Sequence, residues 1–394
     1  MRVLLTESAS LTCRETLTVL GRNGDRADVV SSGRLTIGRF SRWCGRAVRL
    51  PSLRDDPVAH VRALGELATG YDAVLPTHEQ AWLLAAGRHL LPAGAPIAVA
   101  SLDAFDRVQS KVRFARLLDE LGIPQPRWWL PGQAPADAPA QFWVKAAFST
   151  AGRGVRHARS PQEGRALAAE RGAGGMPVRC QAAAPGRYGQ VQAVFDRGRM
   201  IGVHTCVQDG EGVGGSAAAR LGVDHPRARA AAGTIGRALD WHGGLTLDYF
   251  HVDGEPRIIE CNPRTVEPGN AAASGVDLPH LMIDQARGAA LPDGCLVGRA
   301  GVRTHSALAL ALGAAARTRS RHGALRAVAR DGGPFSPREV LTPVLQDPPS
   351  AVPLVVALAR VLARPAAAQH VAGDAVDRYT VTPDVVDRLR AGGG

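Results

Sequence analysis

The sequence predicts an α/β layer at its amino-terminal end followed by a larger α+β body, and three observations carry that reading. Over residues 1 to about 105, short apolar runs alternate with helical stretches: VLL at 3 to 5, DVV at 28 to 30, AVLP at 73 to 76 and IAVA at 97 to 100. That is the pattern of a small parallel sheet covered by helices. Strand-like segments then follow at 142 to 147, 177 to 182, 189 to 195, 199 to 207, 244 to 251 and 256 to 262, with a helix at about 226 to 240. Their period-two alternation marks half-buried strands. Between the two parts lies one helix, Asp103 to Leu121, ended by Gly122, Pro124 and Pro126, which do not continue a helix.

At 394 residues and 45% apolar content, the chain is long enough for two or three cored domains. Its net charge of +11 suits nucleic acid, a membrane surface or an anionic substrate. The arginines are scattered and aromatics are few, which argues against a nucleic-acid stacking platform. MRVLLTESAS has one short apolar run and no cleavage-site pattern, so it reads as a first strand and not a signal peptide. No stretch is long enough to span a bilayer; AVPLVVALARVLARP, 351 to 365, is interrupted by Arg360 and reads as an amphipathic helix. The cysteines at 13, 44, 180, 206, 261 and 295 form no CxxC pair, zinc spacing or disulfide framework, which fits a reducing cytoplasm. The turn after the first strand, TESASLT, lacks GxGxxG and so the dinucleotide fingerprint; that first layer reads as scaffold and substrate wall.

Of the 47 cationic side chains only Lys111 and Lys145 are lysine, and asparagine occurs only at 23, 262 and 270. Under so strong a bias toward arginine, a retained lysine points to a compact single charge that reaches one oxygen, which the planar guanidinium fork does not replace. Lys145 shares a face of FWVKAAF with Trp143. The loop AFSTAGRGV that follows holds Ser149, Thr150, Gly152 and Gly154. Its hydroxyls and backbone amides can face phosphate oxygens, although a plain surface hairpin uses the same residues.

LTLDYFHVDGEPRIIECNPR, 245 to 264, sets Asp248 on one strand and Glu260 and Asn262 on the next. These are three hard oxygen donors of the kind magnesium takes. Glu260 and Asn262 share a face; whether Asp248 joins them depends on the turn. A two-residue Asp-Gly loop pairs 248 with 259 and splits the trio. A three-residue loop of Val252, Asp253 and a bulged Gly254 pairs 248 with 258 and unites it. The metal reading requires the bulge; a solvent-facing acidic hairpin is the alternative.

Taken in order, Lys111 before GIPQP, VKAAFSTAGRGV, the hinge-like RCQAAAPG, Asp248, IIECNPR and GVDLP at 275 to 279 resemble the ATP-grasp superfamily, most closely its carbamoyl phosphate synthetase and biotin carboxylase type. The resemblance covers about residues 1 to 295. It implies a Rossmann-like pre-ATP-grasp α/β domain over 1–105, and an ATP-grasp fold of two α+β subdomains. These are a small subdomain with the phosphate loop over 106–175 and a metal-binding subdomain over 176–300. Residues 301–394 form a carboxyl-terminal extension with no chemical motif.

The resemblance also implies roles. Lys111 and Lys145 contact ATP phosphates, and the loop from Ser149 to Gly154 closes over them. Backbone groups of Arg179, Cys180 and Gln181 meet adenine. Asp248, Glu260 and Asn262 hold Mg2+ or Mn2+, and Arg264 faces the transferred phosphoryl group, which makes Arg264 and Lys145 the catalytic candidates. The implied enzyme is a cytoplasmic, ADP-forming carboxylate-amine ligase acting on small-molecule substrates, with no nucleic-acid partner and room for a homodimer. Two positions depart from the family: Ala146 stands where a proline is usual, and Tyr188 where a ribose-binding carboxylate is common. Rival readings are a phosphotransferase on the same fold and a silent nucleotide-binding module; the complete trio with both lysines argues against silence. His204, His225 and His251 are candidates for a general base by residue type alone.

Overall fold

The computed structural model describes residues 1–150, 152–252, 254–377 and 379–392, with the backbone alone at Ala372 and Ala375. The amino-terminal layer contains β1 (Val3–Leu5), α1 (Leu11–Arg22), β2 (Ala27–Val30), β3 (Cys44–Val48), α2 (Pro57–Ala68), β4 (Ala73–Leu75) and α3 (Gln80–Ala86). Its four strands are parallel, in the order β3-β2-β1-β4. The expected strand at 97 to 100 is absent: the segment is buried, but the contact with β4 stops at Val74 N–H donating to Pro96 O, and a proline returns no donor to extend a ladder. The fourth strand is β3, whose CGRAV has no apolar alternation to reveal it.

The helix expected over 103–121 is two helices, α4 (Leu102–Gln109) and α5 (Lys111–Glu120). Ser110 between them is extended (φ −79°, ψ 119°) and caps α5 by accepting from Arg113 N–H, the usual work of an N-cap serine. Lys111 therefore stands at the first turn of α5, not within a continuous helix.

The second sheet, antiparallel, holds β5 (Trp128–Trp129), β6 (Phe142–Ala146), β7 (Val155–Ala158) and, after α6 (Pro161–Arg171), β8 (Val178–Gln181). The order β5-β8-β6-β7 carries this sheet past residue 175. The third sheet is the largest. It contains β9 (Arg187–Asp196), β10 (Arg199–Glu211), β11 (Ala217–Gly222), α7 (Pro226–Ala238) against one face, then β12 (Gly243–Val252), β13 (Glu255–Asn262), α8 (Gly269–Ala273), α9 (Leu278–Ala286), β14 (Leu296–Val297) and β15 (Arg303–His305). Its path is β13-β12-β9-β10-β11-β15, with β14 beside β10.

Alternation sorts this sheet. Val191, Ala193, Phe195, Leu245, Leu247 and Tyr249 join α7 residues such as Ala228 and Ile235 in the main core, while Gln190, Gln192, Thr246 and Asp248 take the other face. Trp241, 1% exposed, packs on Phe105 of α4 with ring centroids 5.0 Å apart and donates from Nε1 to Gly244 O at 3.0 Å. Truncating such a residue costs about 3–5 kcal/mol, so this contact locks the linker helix to the third sheet.

Beyond β15 come α10 (Ala307–Thr318), α11 (Arg321–Ala329), α12 (Ala351–Ala363), α13 (Ala368–Asp377) and α14 (Pro383–Ala391). Where an amphipathic helix is expected, α12 buries Leu354, Ala357 and Val361 but exposes Val352, Val355 and Val356, so its outer face is apolar as well. The extension is joined to the body by a wholly buried ion pair, Arg14 Nη2 to Asp347 Oδ2 at 2.5 Å. Among the described residues the cysteines are free thiols, and no helix is long and apolar enough to cross a membrane.

Candidate active site

The hairpin of β12 and β13 decides the trio. Val252 pairs with Glu255, so the turn has two residues and not three; one of them, Asp253, lies outside the described residues. The bulge is elsewhere than expected: the register shifts between Tyr249↔Ile258 and Asp248↔Glu260, leaving Ile259 as the extra residue. One inserted residue reverses the side-chain parity beyond it. Asp248 thus stands opposite Glu260, Thr246 opposite Asn262, and all three oxygen donors share one face.

On that face Asn262 Nδ2 donates to Asp248 Oδ2 at 3.2 Å, and Gln190 Nε2 to Asp248 Oδ1 at 3.0 Å. Burial, then the charge of Glu260, pushes the Asp248 carboxyl up to about 6. Glu260 is held below its ordinary value, because Lys111 and Lys145 outweigh the upward push of burial. Lys111 Nζ lies 2.9 Å from Glu260 Oε1 and donates to Ser149 O at 2.9 Å. The expected metal ligand is thus also the counter-ion of the expected phosphate contact, and α5 ties the loop to the hairpin.

Lys145 is 7% exposed and lies in register with Arg179 on β8. Burial, then Arg179, drives its ammonium down to about 7, against the pull of Glu260 and Asp248. Arg179, fully buried, donates from Nη2 to Ile259 O at 2.8 Å; burial brings its guanidinium down to about 10. Arg264, 7% exposed, follows β13, and its charge acts on the Asp248 carboxyl. Lys111, Lys145, Arg179 and Arg264 thus surround two carboxylates, which leaves the group short of negative charge.

Several donors here have no partner among the described residues. Arg179 Nε and Nη1, Gln181 Nε2, Ser149 Oγ and Arg264 Nε are buried without a hydrogen bond, and buried donors of this kind ask for a partner. Of these residues, Ser149 is expected at the phosphates and Arg264 at the transferred phosphoryl group, whereas Arg179 and Gln181 are expected to meet adenine through their backbone and not through these side-chain donors. A polyphosphate would satisfy both the donors and the charge deficit, and Asp248, Glu260 and Asn262 supply the hard oxygens a magnesium ion takes beside it.

The loop from Ser149 to Gly154, apart from Ala151, is described. Gly152 has φ +71°, which favours glycine, and a Cβ on Gly154 would stand 2.4 Å from Ser149 Cβ, so glycine is required at 154. Arg179, Cys180 and Gln181 do not offer free backbone as expected. They lie on β8, an inner strand in register with β6, and with β5 at Cys180 and Gln181, so the sheet already uses their amides and carbonyls. Exposed backbone begins in the hinge after Ala182, where a cleft of about 360 Å³ is lined by Ala183, Ala184 and Pro185 and by Val252, Glu255 and Arg257 of the hairpin.

The three histidines lie apart from the trio. His204 is buried with Nε2 2.7 Å from Asn270 Oδ1, and burial takes it down to about 4. His225 and His251 meet each other, Nε2 to Nδ1 at 2.8 Å, on the α7 face. Sequence reading missed Gln190, which orients Asp248, and Arg220, which lies 3.2 Å from Gln190 Oε1 and 2.6 Å from Glu267 Oε2. The alternation of glutamines in GQVQAVF was the available signal. Tyr188 joins this group, its hydroxyl 3.2 Å from Gln190 Nε2.

No protein-family model matches the chain, and no curated protein matches it by sequence. Solved structures do. An N5-carboxyaminoimidazole ribonucleotide synthetase in complex with ADP aligns with a TM-score of 0.59 at 15% identity, covering 81% of this chain and 85% of that one. The biotin carboxylase of Campylobacter jejuni, solved with an ATP ligand, gives a TM-score of 0.57 at 18% identity, with 74% and 72% covered. An L-amino acid ligase of Bacillus licheniformis gives 0.53 at 15%, with 73% and 74% covered. At these identities the likeness is one of fold.

Proposed function

We propose that this chain, which has the ATP-grasp fold, is an ATP-dependent, ADP-forming ligase that activates a carboxylate as an acyl phosphate and joins it to an amine. One observation carries the reading: the oxygen trio shares a face and lies among Lys111, Lys145, Arg179 and Arg264, of which Arg179 and Arg264 hold buried donors with no partner among the described residues. Within this reading the parallel sheet before α4 is the Rossmann-like domain that precedes the grasp. The second sheet is the phosphate-loop subdomain, extended to β8, and the third sheet is the metal-binding subdomain.

The residues act by placement and charge. Lys111 and Lys145 each reach a phosphate oxygen, and Arg264 stands where charge develops on the transferred group, as expected when electrostatic stabilisation does most of the work of phosphoryl transfer. Asp248, Glu260 and Asn262 would hold magnesium, which would supply positive charge to offset that of the phosphates. The hinge from Ala182 to Pro185 receives the base. A carboxylate oxygen attacks the γ-phosphorus and ADP leaves; the amine then attacks the acyl carbon, phosphate departs with that oxygen, and the amine gives up a proton.

The experiment is an ADP-release screen over pooled carboxylates and amines with magnesium present. ADP release that needs one member of each class supports the ligase. ADP release with hydroxyl acceptors and no amine requirement replaces it with a phosphotransferase.

A further inference from the structure

The phosphate loop is gripped from a direction that the nucleotide reading does not use. Its Arg153 points to the carboxyl-terminal extension. Nη1 pairs with Asp377 Oδ1 at 2.5 Å, and Nη2 donates to Gly373 O at 2.5 Å, both on α13. The main-chain oxygen of Asp377 in turn accepts from Arg54. Just beyond, the Tyr379 ring lies against His78 with centroids 4.0 Å apart, and Val381 N–H donates to Glu79 Oε2 at 2.8 Å. Tyr379 and Val381 are buried, at 8% and 4% exposed. Tyr379 and Val381 are therefore anchored on the turn after β4, at the carboxyl edge of the first sheet, and α13 meets the loop at Arg153. Across the loop, Lys111 holds Ser149 O. The loop is thus fastened on one side by α5 and on the other by a part of the chain more than 200 residues away in sequence.

We propose that Gly373 and Asp377, anchored through Tyr379 and Val381, position the phosphate loop by way of Arg153, so that the loop opens more often when this contact is lost. The proposal rests on the reading of 149–154 as the loop over the nucleotide phosphates. It gives the extension a part in the grasp: nucleotide entry and exit would be governed from α13. Arg153 and Asp377 are 42% and 57% exposed, and a single exposed pair contributes little. The expected effect is therefore a change in how often the loop opens, of about threefold to tenfold, and not its loss.

The test is the full chain with Asp377→Ala, and with Asp377→Asn to remove the charge while keeping the shape, each compared with wild type at equal melting temperature. Trypsin cleaves after Arg153 when the loop is open, and cleavage follows the open population when opening is fast. Mass spectrometry should show cleavage at Arg153 about threefold to tenfold faster in both variants, with cleavage after Arg257 unchanged, and a fluorescent ADP analogue should dissociate faster by a similar factor. Equal cleavage at Arg153 in all three proteins overturns the proposal. The protease readout needs no nucleotide: failure of the analogue to bind wild type would count against the nucleotide reading, while cleavage still decides the positioning role.

Discussion

The extension is joined to the body by Arg14 and Asp347, both with side chains 0% exposed, and breaking that pair has a calculable effect. Asp347→Ala leaves the Arg14 guanidinium buried with, among the described residues, Thr18 Oγ1 as its remaining side-chain acceptor, and takes the acceptor from Arg42 N–H, now 2.7 Å from Asp347 Oδ1. Removing one partner of a buried pair costs about 3–5 kcal/mol. If all 394 residues melt together, an unfolding entropy of about 2.1 cal/mol/K per residue turns this into a fall in Tm of roughly 4–6 °C. The assay is thermal and urea unfolding of wild type, Asp347→Ala, Asp347→Leu and Arg14→Met/Asp347→Leu. The double variant removes both charges and should recover at least half the loss, since an apolar pair of similar volume is often neutral. A fall under 1 °C in Asp347→Ala, or a double variant worse than either single change, would refute the buried-pair argument and with it the docking of the extension through α1.

Three further predictions concern the site and its support. Lys145→Arg should lower turnover about hundredfold, because a larger fork that stays charged beside Arg179 displaces the loop; near-native turnover would sink this. Glu260→Ala and Asn262→Ala should each abolish magnesium-dependent turnover and leave the circular dichroism spectrum intact, whereas unfolding of both would make these residues structural. His280 is held up to about 9 by Asp277 and Asp25. A folded value above the unfolded 6.5 means a contribution complete below about pH 6.5 and lost as pH rises through 9, worth about 1–2 kcal/mol after allowance for partial exposure. The stability gap between wild type and His280→Asn, measured by urea unfolding at pH 6 and pH 9.5, should close at the higher pH; an equal gap at both would contradict it.

The parts of the site legible in the sequence were those where chemistry restricts the residue. Lys111 and Lys145 stood out against arginine, and both are buried beside Glu260. ECNPR marked the acidic face. What the sequence could not supply was register: a bulge at Gly254 and one at Ile259 have the same effect on Asp248, and nothing in PRIIE distinguishes them. The break at Ser110 was hidden because a serine inside a periodic run reads equally as a helix surface or a cap. The strand at 97 to 100 failed because a short apolar run cannot say whether a ladder partner is present. The grip of Asp377 on Arg153 joins residues too distant in sequence for any local pattern to show.

The central claim is that the phosphoryl acceptor is a carboxylate. Once the ADP-release screen yields a substrate pair, the carboxylate is labelled with heavy oxygen and the products are analysed by mass spectrometry. The account predicts ADP together with free phosphate carrying one labelled oxygen, because that oxygen leaves with phosphorus when the amine attacks. Unlabelled phosphate, a stable phosphorylated product, or AMP with pyrophosphate would contradict it.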